Sequence, residues 1–453
     1  MRDIAVSLIV FGILPFVLRF PWLGILLFTW LGLMNPHRMT YGFALNIPFA
    51  MIVALTTLVA LLFSKEIKKI IWTRETVLLT LFVAWMCVTT IFAMYPDYAQ
   101  LQLQKVLKIQ LMIFVALILM RSFDRIEALI CTCAVSIGFY GFKGGIFTIS
   151  KGGAHRVQGP PGTFIEGNNE LGLAMAMTVP LLYFMRTRVA NPSLKLFMTT
   201  WTLLTAFAAI GTQSRGALLG MSAMGLFVWL KSRNKFMSGL LVGLTAAAIA
   251  AFMPESWYER MGTIKTHEED ASARGRVNAW WTSFNMAKDR LLGGGFDCWF
   301  SPTFSMYAPD PSNVRDVHSI TFEVLGEHGF IGLALFYTLG LMTWFSAGWA
   351  ATQARKMPDI AWVSDMMRMV QVSLVAYATA GQFLGLAYFD YPYMLIVVVA
   401  STSWLIKQRL AGMPDAEWAK AKPAGLLENG RLVIPWPWKK KPLASFPAGP
   451  ARS

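Results

Sequence analysis

Apolar runs of about 15 to 23 residues follow one another along most of the chain with short polar breaks between them, and such runs are long enough to cross a bilayer as helices. They fall near 4–18, 22–35, 46–63, 75–93, 104–120, 126–148, 168–185, 194–211, 216–231, 236–253, 321–349, 364–387 and 390–406. The pattern predicts an all-α polytopic membrane protein with about 12 to 13 transmembrane helices. The first two runs are short and separated only by Arg19-Phe20-Pro21-Trp22, so they read equally well as a hairpin. One long polar segment, 254–317, interrupts the rhythm. It carries Trp257, Tyr258, Trp280, Trp281, Trp299 and Tyr307, and 277–288 within it reads as an amphipathic helix with its aromatic residues on one side, suited to lie at a membrane surface and roof a cavity. The chain divides accordingly into N-terminal helices 1–120, central helices 121–253, the loop 254–317, C-terminal helices 318–406 and a Pro-, Gly- and Lys-rich tail, 407–453, expected to be disordered.

Charge adds orientation. Lys65, Lys68, Lys69 and Arg74, Arg121 and Arg125, Arg186, Arg188 and Lys195, Lys231, Arg233 and Lys235, and Arg355 and Lys356 occupy alternate breaks, which the positive-inside rule assigns to the cytoplasm together with the tail. The breaks near 94–103, 149–167, 211–215, 254–317 and 388–391 then face the periplasm. Across 453 residues, 55% hydrophobic and 14% charged content excludes a soluble protein. The net charge of +15 lies in short clusters rather than on one basic surface, so no nucleic acid partner is expected. Three of the four cysteines, at 87, 131 and 133, sit inside apolar runs and the fourth is Cys298, which suggests neither a disulfide framework nor a zinc site. The first run lacks a small-residue cleavage site and reads as a retained segment. No cofactor or metal motif occurs, and no carboxylate pair at glycosidase-like spacing.

Four arginines break the topology rule: Arg156, Arg215, Arg274 and Arg276 sit on the outer side, where cations are normally sparse. Arg215, in Gln213-Ser214-Arg215-Gly216 between two apolar runs, would cost roughly 2.5 to 3.5 kcal/mol at membrane depth without a partner or water. A phosphate would be such a partner, since guanidinium offers it a planar fork and stays protonated. The competing reading is a side chain snorkelling to headgroups. Arg156 belongs to a Gly- and Pro-rich turn that ends in Asn168-Asn169-Glu170 at the start of a span, a place where helix amides favour anions or hydroxyls. His318 stands at the boundary between the long loop and the next span, with Asp316 and Ser319 as cap residues and Gly326, Gly329 and Gly332 stacked on one helix face. Glu323 and Glu327, further along that helix, could tune the imidazole, and Asp390, flanked by Tyr388, Tyr391 and Tyr393, could orient a His or Arg. Plain packing and turn roles compete with each of these.

These residues carry a resemblance. His318-Ser319, nine residues, Gly329, two residues and Gly332 reproduce the motif of the O-antigen ligase and polymerase superfamily of bacterial membrane glycosyltransferases. Ser214-Arg215-Gly216 is similar to that family's Ser-Arg-Gly turn, and Gly275-Arg276 with Trp280 and Leu292-Gly293-Gly294-Gly295 to its outer-loop signature; Arg290-Leu291 departs from the usual His-Pro. Asn35-Pro36-His37-Arg38 and the stretch from Arg156 to Phe164 with Asn168-Asn169 resemble the subgroup of O-glycosylation ligases associated with exosortase A systems. The resemblance implies an inner-membrane, metal-independent inverting glycosyltransferase working on the periplasmic face. Its donor would be a glycan on undecaprenyl diphosphate, and its acceptor a lipid or protein hydroxyl. Under it Arg215 and Arg276, with Arg156, Arg274, Asn168 and Asn169, would bind the donor and His318 would take the acceptor's proton. A glycan polymerase with the same donor, or a lipid-linked sugar flippase using the cations for binding alone, are the rivals. A flippase would bring cations through the midplane and show internal symmetry, whereas these cations lie on one side.

The alternation of basic breaks predicts that a cysteine placed at Ser312 reacts with a membrane-impermeant maleimide in intact cells. Reaction only after lysis would reverse the orientation.

Overall fold

The computed structural model describes residues 1–231, 235–236, 239–240, 243, 252–255, 257–258, 271–412, 427–428 and 431–432. Every predicted run coincides with a helix except 236–253, most of which lies outside the described residues. In chain order the α-helices are α1 (Arg2–Arg19), α2 (Pro21–Met34), α3 (Phe49–Phe63), α4 (Arg74–Ile91), α5 (Pro96–Leu119), α6 (Phe123–Ser150), α7 (Asn168–Thr187), α8 (Pro192–Gly211), α9 (Arg215–Lys231), α10 (Ala271–Asp289), α11 (Ser301–Tyr307), α12 (Ile320–Ala354), α13 (Ala361–Ala380) and α14 (Asp390–Leu410). Five of them, α4, α5, α6, α8 and α12, are long and apolar enough to cross a membrane on their own length and composition, and the protein is an all-α polytopic membrane protein.

Helix starts follow local chemistry. Pro21, Pro96 and Pro192 occupy first-turn positions, where the missing N–H costs nothing, and Thr73, Ser122 and Asn191 accept hydrogen bonds from the first-turn amides. The helix α14, apolar through most of its circumference, is buried at every residue from Asp390 to Ser403 and forms the centre of the bundle. Small residues set the closest helix pair: a Cβ added to Gly141 of α6 would lie 2.3 Å from Thr205 Oγ1 of α8, and one on Gly145 would lie 2.5 Å from the carbonyl oxygen of Leu204. On the side assigned to the cytoplasm, Arg125 grips Glu66 with two hydrogen bonds of 3.0 and 2.9 Å, and Arg188 donates to Glu127 at 2.7 Å.

The structure changes the reading of the 326–332 glycines. They do not stack on one continuous face, because Gly329 has φ 66° and ψ −172° and breaks α12. That conformation is accessible essentially to glycine alone. The carbonyls before the break accept bonds from outside the helix: Gly294 N–H donates to Gly326 O at 2.8 Å and Gly295 N–H to Glu327 O at 2.9 Å, while Trp85 Nε1 donates to His328 O at 2.9 Å. Arg290 secures this turn, donating to Gly293 O at 2.9 Å and to Phe92 O at the end of α4 at 3.0 Å.

The loop helix is also more than a surface amphipath. In α10 Trp280 faces inward, stacked on Phe322 at 5.0 Å and 9°, whereas Trp281 is 52% exposed on the other side, so its aromatic residues serve two faces rather than one.

Replacing Gly329 with alanine is expected to lower the thermal unfolding midpoint of the detergent-purified protein, since the Cβ would fall 2.2 Å from Leu291 O and the backbone conformation alone costs about 1 to 3 kcal/mol. An unchanged midpoint would mean that the break in α12 can be straightened.

Candidate functional site

Three segments distant in sequence are folded toward one another on the same end of the bundle. The loop after α6 is held by Val157 N–H donating to Gly211 O at 3.3 Å and by Gly159 N–H donating to Glu166 O at 3.0 Å. Gly159 is needed there, because a Cβ would meet Ile165 O at 1.8 Å. Asn168, the first residue of α7, donates through Nδ2 to Thr212 O at 2.8 Å and so joins the start of α7 to the turn between α8 and α9. In that turn Gln213 adopts φ 55° and donates to Gly153 O at 3.0 Å, and Ser214 Oγ accepts from Ala217 N–H at 3.2 Å as the N-cap of α9. Arg215 is therefore the first residue of a helix whose start is fixed on both sides.

The third segment is α10. Asn278 donates to Asp310 O at 2.8 Å and to Asn313 O at 3.1 Å, and its Oδ1 accepts from Asp310 N–H at 2.9 Å, clamping the loop that precedes α12. Trp280 Nε1 donates to Val317 O at 2.9 Å. One face of α10 thus holds the loop that carries His318, while Arg276 points to another wall.

That wall belongs to a cavity of about 190 Å³ lined by Arg156, Asn168, Asn169, Ser214, Arg215, Gly216, Arg276 and Phe383. Three guanidinium-bearing residues from three segments and the N-termini of α7 and α9 converge on it, so both fixed charge and helix dipoles favour an anion. Gly216 allows α9 to approach the end of α13, a Cβ there meeting Ala380 O at 3.3 Å and Phe383 Cβ at 3.4 Å.

Of the residues singled out from sequence, Arg156, Arg215, Arg276, Asn168 and Asn169 share this cavity. Arg274 is exposed on α10 and does not line it. His318 does not line it either. It lies two residues before α12 with φ 42°, a left-handed conformation uncommon for a non-glycine residue, and its Nδ1 is 3.7 Å from Asp316 Oδ2. The start of α12 adjoins the cavity wall: Ile320 packs on Gly381 and Thr321 donates to Gln382 Oε1 at 2.5 Å, in the 3-10 turn that ends in Phe383. Glu323 accepts from Ala387 N–H at 3.0 Å. Glu327 accepts from Asp297 N–H at 3.0 Å and from Tyr388 OH at 2.5 Å, and His328 Nδ1 pairs with Thr89 Oγ1 at 2.7 Å, so Glu327 and His328 serve the break in α12 and not each other. Asp390 starts α14 and is buried, with Oδ2 facing Gly32 of α2 rather than the cavity.

Carboxylates gather near the His318 segment as well. Burial, and next the charge of Asp316, push the Asp297 carboxyl above its ordinary range, with Lys105 pulling the other way. Lys105 Nζ sits 4.2 Å above the Phe164 ring, tying α5 to the loop that carries Arg156. Two residues escaped the sequence reading. Phe383 lies within an apolar run with no polar signal, and Asp316 had been read as a helix cap.

Residues 201–337 match a family model described as O-antigen ligase, and residues 1–189 match that of a family of unknown function. The first match spans Arg215, Arg276 and His318, and the second Arg156, Asn168 and Asn169. A comparison with curated proteins gives no match. The O-antigen ligase match supports that superfamily and, with it, a membrane enzyme of the glycan ligase or polymerase kind.

Proposed function

We propose that the chain is a glycan ligase of the bacterial inner membrane that transfers a glycan from undecaprenyl diphosphate to a hydroxyl on a lipid or protein acceptor at the periplasmic face. The observation that carries this reading is the convergence of Arg156, Arg215 and Arg276 with two helix N-termini on one cavity beside the His318 segment. A diphosphate is the anion such a set suits, because planar guanidinium forks bind phosphate oxygens in pairs and no metal is then required to offset its charge. Asn168 and Asn169 add neutral donors and acceptors at the same cavity. A cluster of this kind stabilises charge that builds on the leaving diphosphate, which is ordinarily the largest catalytic contribution.

In the proposed reaction the acceptor oxygen attacks the anomeric carbon from the face opposite the diphosphate. The bond from that carbon to the phosphate oxygen breaks, undecaprenyl diphosphate leaves, and configuration inverts. The acceptor proton goes to His318, whose position outside the cation-lined cavity leaves the imidazole for the acceptor side. The exosortase-associated subtype, with a protein acceptor, belongs to the same proposal and rests on the N-terminal segments that resemble that subgroup.

Arg215→Lys is expected to lose at least roughly tenfold in turnover with charge retained, since an ammonium cannot reproduce the bidentate fork. Turnover near wild type at saturating donor would assign Arg215 to the headgroup region instead. His318→Ala is expected to lower turnover by about 10² to 10⁴-fold while undecaprenyl diphosphate binds as to wild type. Loss of that binding with turnover retained at saturating donor would make His318 a phosphate ligand.

A further inference from the structure

We infer that Asp316 is the positioning residue for His318, holding the imidazole so that Nδ1 faces its carboxylate and Nε2 is presented to the acceptor hydroxyl. This rests on the proposed role of His318 as the base. Asp316 does not cap α12: Ser319 takes the N-cap position, and Asp316 Oδ1 instead accepts from Val317 N–H at 2.7 Å, ahead of the helix. With Oδ1 held by the backbone, Oδ2 turns to His318 Nδ1, 3.7 Å away. The left-handed φ of 42° at His318 folds the imidazole back toward the residue two positions earlier. Such a conformation persists where the surroundings over-determine it.

Those surroundings are specific. Val317 is fully buried and its carbonyl is held by Trp280, whose ring stacks on Phe322 of α12, so the residue between Asp316 and His318 is fixed from both sides. The charged groups of neighbouring elements are Glu323 on α12, Asp297 in the loop before α11, Arg315 in the same segment, and Arg276 and Arg215 at the cavity. Glu323 and Asp316 reach the same place: a Cβ on Gly385 would meet Glu323 Oε2 at 3.6 Å and Asp316 Oδ2 at 3.7 Å. Glu323 is engaged with the Ala387 amide, which leaves Asp316 as the carboxylate next to the imidazole. The separation exceeds a hydrogen bond, and catalytic pairs commonly tighten only when substrate is bound. A carboxylate in this place fixes the tautomer that accepts a proton at the far nitrogen, as in serine hydrolase triads.

The test compares wild type, Asp316→Asn, Asp316→Glu, His318→Ala and the Asp316→Asn/His318→Ala double variant in reconstituted membranes. Lipid-linked glycan and acceptor come from the native membrane, and undecaprenyl diphosphate is the binding probe. Asp316→Asn keeps the acceptor for Val317 N–H, so the variant can fold. It should lower turnover on the order of 10- to 100-fold, less than the ~10⁴ of a buried triad carboxylate, with undecaprenyl diphosphate bound as before. Asp316→Glu should recover part of the loss. In the His318→Ala background, Asp316→Asn should change nothing further. If it lowers the residual rate there as much as in wild type, or leaves wild-type turnover untouched, Asp316 is structural and the inference is overturned while His318 stands as the base. If His318→Ala itself turns over like wild type, the assignment of the base fails and this inference with it.

Discussion

A helix that breaks inside a membrane must find partners for the carbonyls it releases, because lipid offers none. In α12 the break at Gly329 follows the carbonyls of Gly326, Glu327 and His328, and each accepts a hydrogen bond from outside the helix: two from Gly294 and Gly295, one from Trp85. The outer loop is thereby bound to a membrane helix by its backbone, which no change of side chain easily undoes. Arg290 ties the same turn to the end of α4, and Asp297 N–H donates to Glu327. From this anchor α10 is held across the first half of α12, with Trp280 on Phe322 and Asn278 on the loop before it. Arg276 lies on the same helix, α10, that holds the loop carrying His318 through Asn278 and Trp280.

Much of this was legible in residue order. Apolar runs of membrane length became helices at nearly the expected limits, since in lipid a helix is the way a single segment satisfies its own backbone. Three of the four arginines that break the topology rule, Arg156, Arg215 and Arg276, share one cavity, and Arg274 does not, although from sequence alone it looks like its neighbour Arg276. What escaped has physical causes. Periodicity cannot distinguish a glycine that packs from a glycine that breaks, so Gly329 was misread, and the receiving turn at Gly293-Gly294-Gly295 lies far away in sequence. Asp390 reads in the sequence as a group that could orient a His or Arg, and its carboxylate lies against Gly32 of α2, a long-range packing choice invisible to local pattern. Asp316 looked like a cap because caps are common before helices; the structure spends its carboxylate on Val317 and His318.

The division of charge around the His318 segment bears on how one site could do two unlike tasks. Cations and helix N-termini gather at the cavity, and Asp297, Asp316 and Glu323 lie near one another beside the His318 segment. A leaving diphosphate needs positive charge that does not move, and under the proposed reading arginines from two turns and one helix supply charge that requires little reorganisation as the bond breaks. A base needs the opposite surroundings, since a guanidinium at its side would oppose the arrival of a proton while a carboxylate favours it. Under the proposed reading the arginines serve the diphosphate, and Asp316, beside His318, serves the base. His318, in a left-handed conformation, faces Asp316, while the helix that follows starts against the wall of the cationic cavity.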